Sequence, residues 1–164
     1  MSTNASPLPP PTQLWKDLSP ERRLGAAAVF WQDDGAMPEQ AEAIALIAQR
    51  IKFRARSVMT MPAEKKTRHL ATLAGLTEAV AARLLVAYHL DQQRPMMGRF
   101  LDLLGIAHED GLIGEEAFPT PPSERLKEAA AALAAEFPPE DVSRYFVTLV
   151  WQDPEHWAPL VELR

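Results

Sequence analysis

Apolar side chains recur every three or four residues through most of this chain, and this spacing places them on one face of an α-helix. The pattern is clear in several segments, among them the positions Leu24, Ala27, Ala28, Trp31, Ile44, Ile47, Ala48, Ile51, Leu126, Ala129, Ala130 and Leu133. No segment combines the strict alternation of a β-strand with flanking hairpin turn residues. The pattern therefore predicts an all-α fold.

Proline residues divide the periodic segments from one another. Because proline lacks a backbone N–H, it is tolerated in the first turn of a helix but not in its interior. Placing helices between the prolines predicts eight of them, near residues 20–32, 38–57, 62–74, 77–90, 95–105, 122–137, 139–151 and 154–162. Alanine is abundant and lets helices approach closely, so we expect a compact array of about seven or eight short helices in hairpins.

The domain organisation follows from composition. Residues 1–13 are rich in Ser, Pro, Thr and Asn and can bury little apolar surface, which predicts a disordered tail. The remaining residues 14–164 are enough for a single helical domain with one core. A softer boundary at residues 114–123 separates a larger N-terminal part from a C-terminal helical subdomain. We expect this subdomain to dock on the larger part, since about 40 residues seldom hold a core alone.

Cysteine is absent from the sequence, which excludes a disulfide framework, a thiolate metal site and a cysteine nucleophile. The first residues lack the basic start and apolar run of a secretory signal. The longest apolar runs are too short to span a bilayer. The net charge of -5 argues against a global attraction to nucleic acid or anionic lipid. We therefore expect a cytoplasmic protein that engages no membrane.

The most specific local pattern is TRHLATLAGLTEAVAARL at residues 67–84. It has a small residue at Ala71, a glycine four residues later at Gly75, and a helix-capping residue at Thr77. In these features the segment resembles the helix-turn-helix of bacterial DNA-binding proteins, over 18 of the 164 residues. The alternative interpretation is a plain helical hairpin that turns at Gly75 and is capped by Thr77.

The resemblance implies that the second helix enters the DNA groove. The side chains it would present there are Glu78, Ala79, Ala82 and Arg83. A recognition helix needs several hydrogen-bond donors for base edges and phosphates, and this set has one arginine. The resemblance therefore makes Arg83 the base-reading candidate.

A basic stretch directly precedes and overlaps this segment. Within 19 residues it has seven cations, opposed only by Glu64: Arg50, Lys52, Arg54, Arg56, Lys65, Lys66 and Arg68. Such charges can contact phosphates. They can equally complement helix dipoles on a solvated face, or meet an acidic protein partner or the acidic C-terminal half of the chain. These alternatives stay open.

Polar residues that could form a site are sparse. The candidate polar cluster groups Tyr88, His89, Asp91 and Arg94 at a helix junction, together with His69 and His108 from neighbouring segments. The four histidines show no paired metal-ligand spacing, so we expect no metal and no cofactor. Capping and corner hydrogen bonds, with Asp110 and Gly111 forming a turn after His108, are the alternative to a catalytic site.

The leading hypothesis is a non-enzymatic helical protein that binds another protein or itself, including as a homodimer. It is motivated by the apolar helical surface and the lack of a catalytic constellation. The alternative is a nucleic-acid-binding regulator that uses residues 50–84. A third hypothesis is an enzyme that uses the histidine and carboxylate loops.

Overall fold

The computed structural model describes residues 7–114 and 118–164. Its α-helices are α1 (Pro11–Lys16), α2 (Pro20–Phe30), α3 (Met37–Ile51), α4 (Ala55–Met59), α5 (Ala63–Ala71), α6 (Glu78–Gln92), α7 (Arg94–Leu104), α8 (Ser123–Glu136), α9 (Pro139–Gln152) and α10 (Pro154–Trp157). Short 3₁₀ helices cover Asp34–Ala36 and Ala158–Glu162, and the strands β1 (His108–Glu109) and β2 (Leu112–Ile113) form one two-residue ladder.

The all-α prediction is confirmed by these elements. The described residues have more helices than the seven or eight expected, because several are very short: α1 has six residues, α4 has five and α10 has four. The helix predicted over 154–162 changes from α-helical to 3₁₀ geometry after Trp157. The strands, which the sequence pattern did not predict, are too short to show a periodicity.

The prediction of a single helix over 38–57 is wrong, because the chain leaves the helix at residues 52–54. Helix α3 ends at Ile51 because Lys52 takes a left-handed backbone conformation with φ of 59°. The N–H of Phe53 then donates to the carbonyl of Ala48 at 2.9 Å, the hydrogen bond that closes a Schellman helix end. The chain resumes as α4 at Ala55.

Helix α1 begins inside the segment that composition assigns to a tail. Pro11 occupies its first turn, and the side chains of Pro11, Leu14 and Trp15 are buried. Residues 11–13 of the predicted tail are therefore helical, whereas residues 1–6 lie outside the described residues.

The described residues divide into two compact units, residues 10–92 and the described part of residues 93–164 together with residues 7–9. In the first unit α6 is the central helix, and α1, α2 and α3 pack around it. Seven of its fifteen residues are buried, whereas Ala79, Ala82, Arg83 and Val86, on the remaining side of the helix, are exposed or half-buried. Thr77 caps α6 by accepting a hydrogen bond from the N–H of Val80 at 3.3 Å.

The second unit is organised around Phe100 of α7. Its ring centroid lies 5.7 Å from that of Tyr145, 5.0 Å from Phe146 and 6.0 Å from Trp157. Burial raises the pKa of Tyr145 above its ordinary value of 10.0. The boundary predicted at 114–123 lies within this unit and includes residues 115–117, outside the described part. The docking of a C-terminal subdomain stays a prediction.

Candidate functional site

The seven cations of the basic stretch lie on the end of α3, the connection to α4, α4 itself and α5. We call residues 50–68 the basic surface. Six of the seven cationic residues are exposed and Lys66 is half-buried. The only carboxylate in this range, Glu64, is exposed as well. The charged side chains of this range therefore lie mostly in solvent, and their use as one binding patch stays a prediction.

Few contacts within the protein satisfy these cations. Arg50 donates from Nη1 to the carbonyl of Thr72 at 3.3 Å. The Nζ of Lys66 lies 4.8 Å from the centroid of the Trp31 ring, in a cation–π contact. Within the described ranges 7–114 and 118–164, none of the seven cations forms an ion pair. The charge of the basic surface is therefore available to an external group.

Helix dipoles explain only part of this array. Arg50 lies in the last turn of α3 and Arg68 in the last turn of α5, where cations complement the negative helix end. Arg54, however, is the N-cap of α4, and Lys65 lies in the first turn of α5. At those positive ends the dipole disfavours a cation, so their presence needs another explanation.

Two large apolar side chains lie exposed among the cations. Phe53 follows the left-handed Lys52 and is 53 % exposed, and Met59, the last residue of α4, is 59 % exposed. Sequence reasoning missed both, because it placed Phe53 inside a helix over 38–57. The available signal was an aromatic residue directly between the two cations Lys52 and Arg54.

The segment that resembles a helix-turn-helix has its turn at Gly75, between two helices. Helices α5 and α6 flank Gly75, whose φ is 78°. The carboxylate of Glu78 accepts hydrogen bonds from the N–H of Thr12 at 3.1 Å and from its hydroxyl at 2.7 Å. Arg83 lies 3.5 Å from the carboxylate of Asp33. Two of the four residues that would face DNA, Glu78 and Arg83, are therefore engaged by α1 and by the loop after α2, whereas Ala79 is exposed and Ala82 is half-buried.

The predicted polar cluster is divided between the two units. His69, Tyr88, His89 and Asp91 belong to residues 10–92, whereas Arg94 and His108 belong to residues 93–164. Tyr88 and His89 are neighbours in α6 with ring centroids 4.8 Å apart, and Tyr88 accepts a hydrogen bond from Arg22 at 3.0 Å. Arg94 donates to the carbonyl of Asp110 at 3.0 Å, near His108. A single site that joins all six residues stays a prediction.

Two of the four histidines, His108 and His156, hold loops and a helix end in place. His108 accepts the Gly111 N–H on Nδ1 at 3.0 Å, and its Nε2 lies 2.7 Å from the Asp102 carboxylate. His156 lies between Asp153 at 2.7 Å and the carbonyl of Phe118 at 3.1 Å. His89 is buried, and its Nδ1 lies 2.8 Å from the carbonyl of Leu85. In the part of the chain that the structure describes, no three His, Asp or Glu residues are grouped to hold a metal.

Comparison with known proteins gives no relative: no family model matches the chain, and neither a curated protein nor a solved structure does. Among the described residues, no helix combines the length and the apolar character needed to cross a membrane. The function is therefore inferred from the geometry and charge of the surfaces described above.

Proposed function

We propose that this chain acts by binding another protein through the basic surface, with Phe53 and Met59 as its apolar contacts. The observation that carries the proposal is the exposure of these two side chains among cations that have no ion-pair partner in the described residues. Apolar surface that is rimmed by polar residues is typical of a binding site when its side chains form one patch. The proposal therefore requires that a partner cover Phe53 and Met59 together.

The composition of the surface is typical of protein interfaces. Aromatic residues, Met and Arg are enriched in such interfaces, and all three are present between residues 50 and 59. Phe53 and Met59 supply apolar area that is withdrawn from water when a partner covers them. Met59 is flexible and can adapt to an irregular partner surface.

The charge of the surface selects the class of partner. Seven cations against one carboxylate would steer an acidic protein segment toward the surface and fix its orientation. The expected partner is therefore a protein segment that carries several carboxylates and at least one large apolar side chain.

A nucleic acid is the competing partner, because the same cations could contact phosphates. Two considerations favour a protein. The chain has a net charge of -5, and contacts with phosphates alone would leave the apolar side chains of Phe53 and Met59 exposed to water. The nucleic acid is nevertheless one outcome of the test below.

Photo-crosslinking tests the proposal directly. A photoreactive phenylalanine analogue replaces Phe53 in cells that express the chain naturally, and in parallel it replaces Leu24 as a matched control. Leu24 is also a large exposed apolar residue, but it lies in α2 outside the basic surface. We expect a defined protein adduct from position 53, none from position 24, and loss of the adduct in the variant Arg54→Glu/Arg56→Glu.

Two results would contradict protein binding at this surface. One is an adduct with nucleic acid alone from position 53, which would favour the regulator hypothesis. The other is an equal pattern of adducts from positions 53 and 24, which would mean that any exposed apolar side chain crosslinks non-specifically.

A further inference from the structure

A second exposed feature has the opposite charge to the basic surface. The strands β1 and β2 pair in an antiparallel ladder and are joined by Asp110 and Gly111, with φ of 51° and 87°. Two positive φ values are the mark of a type I′ hairpin turn. We call residues 108–113 the acidic hairpin. Its carboxylate residues Glu109 and Asp110 are exposed. Leu112, on the second strand, is 46 % exposed.

Contacts with α7 and its flanking residues hold the hairpin in place. His108 bonds both the Gly111 N–H and the carboxylate of Asp102 on α7, and Arg94 donates to the carbonyl of Asp110. A Cβ on Gly111 would lie 2.8 Å from the Cβ of Met97, which shows how closely the turn approaches this helix. A preorganised element loses less conformational entropy on binding.

Charge is also distributed unevenly along the sequence: the part that contains the basic surface has more cations than carboxylates, and the part that contains the acidic hairpin has more carboxylates than cations. Residues 10–92 contain eleven Lys and Arg against nine Asp and Glu, whereas residues 93–164 contain six against thirteen. One copy therefore offers both a cationic apolar surface and an anionic apolar hairpin.

We propose that the acidic hairpin of one copy binds the basic surface of a second copy. The carboxylates of Glu109 and Asp110 would meet the guanidinium groups of Arg54 and Arg56, and Leu112 would pack between Phe53 and Met59. The inference rests on the proposed function, since it names a second copy of this chain as the protein that the surface binds. The contact joins two different surfaces, so a dimer still has one free basic surface and one free acidic hairpin. Association therefore continues beyond the dimer unless the copies close into a ring.

Two charge variants test this arrangement. The surface variant is Arg54→Glu/Arg56→Glu, and the hairpin variant is Glu109→Lys/Asp110→Asn. Asparagine is chosen at position 110 because it tolerates the positive φ of the turn. All four side chains are exposed, so both variants should keep the circular dichroism spectrum of the parent chain.

Sedimentation equilibrium then measures the mass at low salt. We expect the parent chain to exceed its monomer mass of 18.2 kDa in a concentration-dependent manner. The mass should return to that of the monomer in about 1 M salt, where the Debye length is about 3 Å. Each variant alone should be monomeric, because like charges then replace opposite ones. An equimolar mixture should form a one-to-one complex, since the surface variant keeps its hairpin and the hairpin variant keeps its surface.

The inference is overturned if the parent chain is monomeric at every concentration, if both variants still self-associate, or if the mixture forms no complex. The proposed function fails separately. A monomeric parent chain that still crosslinks another protein from position 53 would remove the second copy as partner and leave protein binding intact. If the chain is monomeric and position 53 crosslinks to nucleic acid alone, both the self-association and the proposed binding of a protein are contradicted.

Discussion

The side chain of Phe53 is 53 % exposed, although burying a phenylalanine stabilises a protein by about 1.5–3 kcal/mol. It follows the left-handed Lys52 and precedes the N-cap of α4. Phe100, in contrast, packs against three other aromatic rings and is fully buried. The same residue type therefore contributes to the core in one case and to a candidate interface in the other.

Truncating these two phenylalanines should separate the roles. Phe53→Ala should change the free energy of unfolding by less than about 0.5 kcal/mol, because little packing is lost. Phe100→Ala should lower it by about 3–5 kcal/mol, because it leaves a cavity in the core. Urea unfolding monitored by circular dichroism measures both. A loss of several kcal/mol for Phe53→Ala would mean that this ring packs within the protein.

Tyr145 should make stability depend on pH in the alkaline range. Burial disfavours the charged phenolate and raises the pKa of this side chain above its ordinary value of 10.0. The neutral phenol therefore contributes stability that is fully present below pH 10 and is lost as the pH rises toward the folded-state pKa.

The variant Tyr145→Phe removes this titration. Above about pH 10, its free energy of unfolding should fall less steeply than that of the parent chain, by up to about 1.4 kcal/mol per pH unit. Urea unfolding at pH values from 9 to about 11.5 compares the two slopes. Parallel slopes in the parent chain and the variant would show that Tyr145 does not control the alkaline loss of stability.

At the scale of elements, helix starts could be predicted from the sequence better than helix ends. Pro20 and Ser19 mark the start of α2, and the hydroxyl of Ser19 accepts the Arg22 N–H as an N-cap. Helix α7 is followed by Gly105, which has a φ of 70°. The N–H of Ile106 then donates to the carbonyl of Leu101. Helix α3 ends with the same hydrogen bond, but Lys52 stands where glycine usually does. Its end therefore gave no signal in the sequence.

The variant Lys52→Gly should stabilise the protein by about 0.5–1 kcal/mol. A side chain in the left-handed conformation is strained by about 1–2 kcal/mol, part of which is offset by the extra freedom of glycine in the unfolded chain. Thermal unfolding provides the measurement. Lys52→Ala is the matched control, because it removes the same charge but keeps the Cβ. If both variants shifted the stability equally, the charge and not the backbone would be responsible.

In the candidate site, the charged residues could be predicted from the sequence, but the exposed apolar residues and the strands could not. The seven cations could be read directly from composition, since charged residues without partners lie in solvent. The exposure of Phe53 and Met59 depends on where α3 ends, which the apolar spacing conceals. The acidic hairpin was predicted as a turn at Asp110 and Gly111, but its strands of two residues each are shorter than any periodic pattern.

For the whole molecule, the net charge of -5 coexists with a strongly cationic local surface. We therefore expect the long-range attraction to nucleic acid to be weak and local contacts to decide the partner. On the face of α6 that would read base edges in a helix-turn-helix protein, Arg83 is the only cation, and it lies 3.5 Å from the carboxylate of Asp33.

Duplex DNA should accordingly bind no better than non-specifically, with dissociation constants of about 10⁻⁴–10⁻⁶ M at physiological salt. Fluorescence anisotropy with labelled duplexes measures this affinity, and the variant Arg54→Ala/Lys65→Ala/Lys66→Ala should reduce its salt dependence by about one unit per lost phosphate contact. The variant Arg83→Ala should leave sequence preference unchanged. Nanomolar, sequence-specific binding that requires Arg83 would instead support the regulator hypothesis.

The central claim is that the basic surface binds an acidic, partly apolar protein segment, and selection from a library of random displayed peptides tests it most directly. We predict that the parent chain enriches peptides that combine several carboxylates with a large apolar side chain. These peptides should lose binding to Phe53→Ser/Met59→Ser and to Arg54→Glu/Arg56→Glu, but should keep it for the control Leu24→Ser. Enrichment of peptides without this composition, or of peptides that bind all variants equally, would contradict the claim.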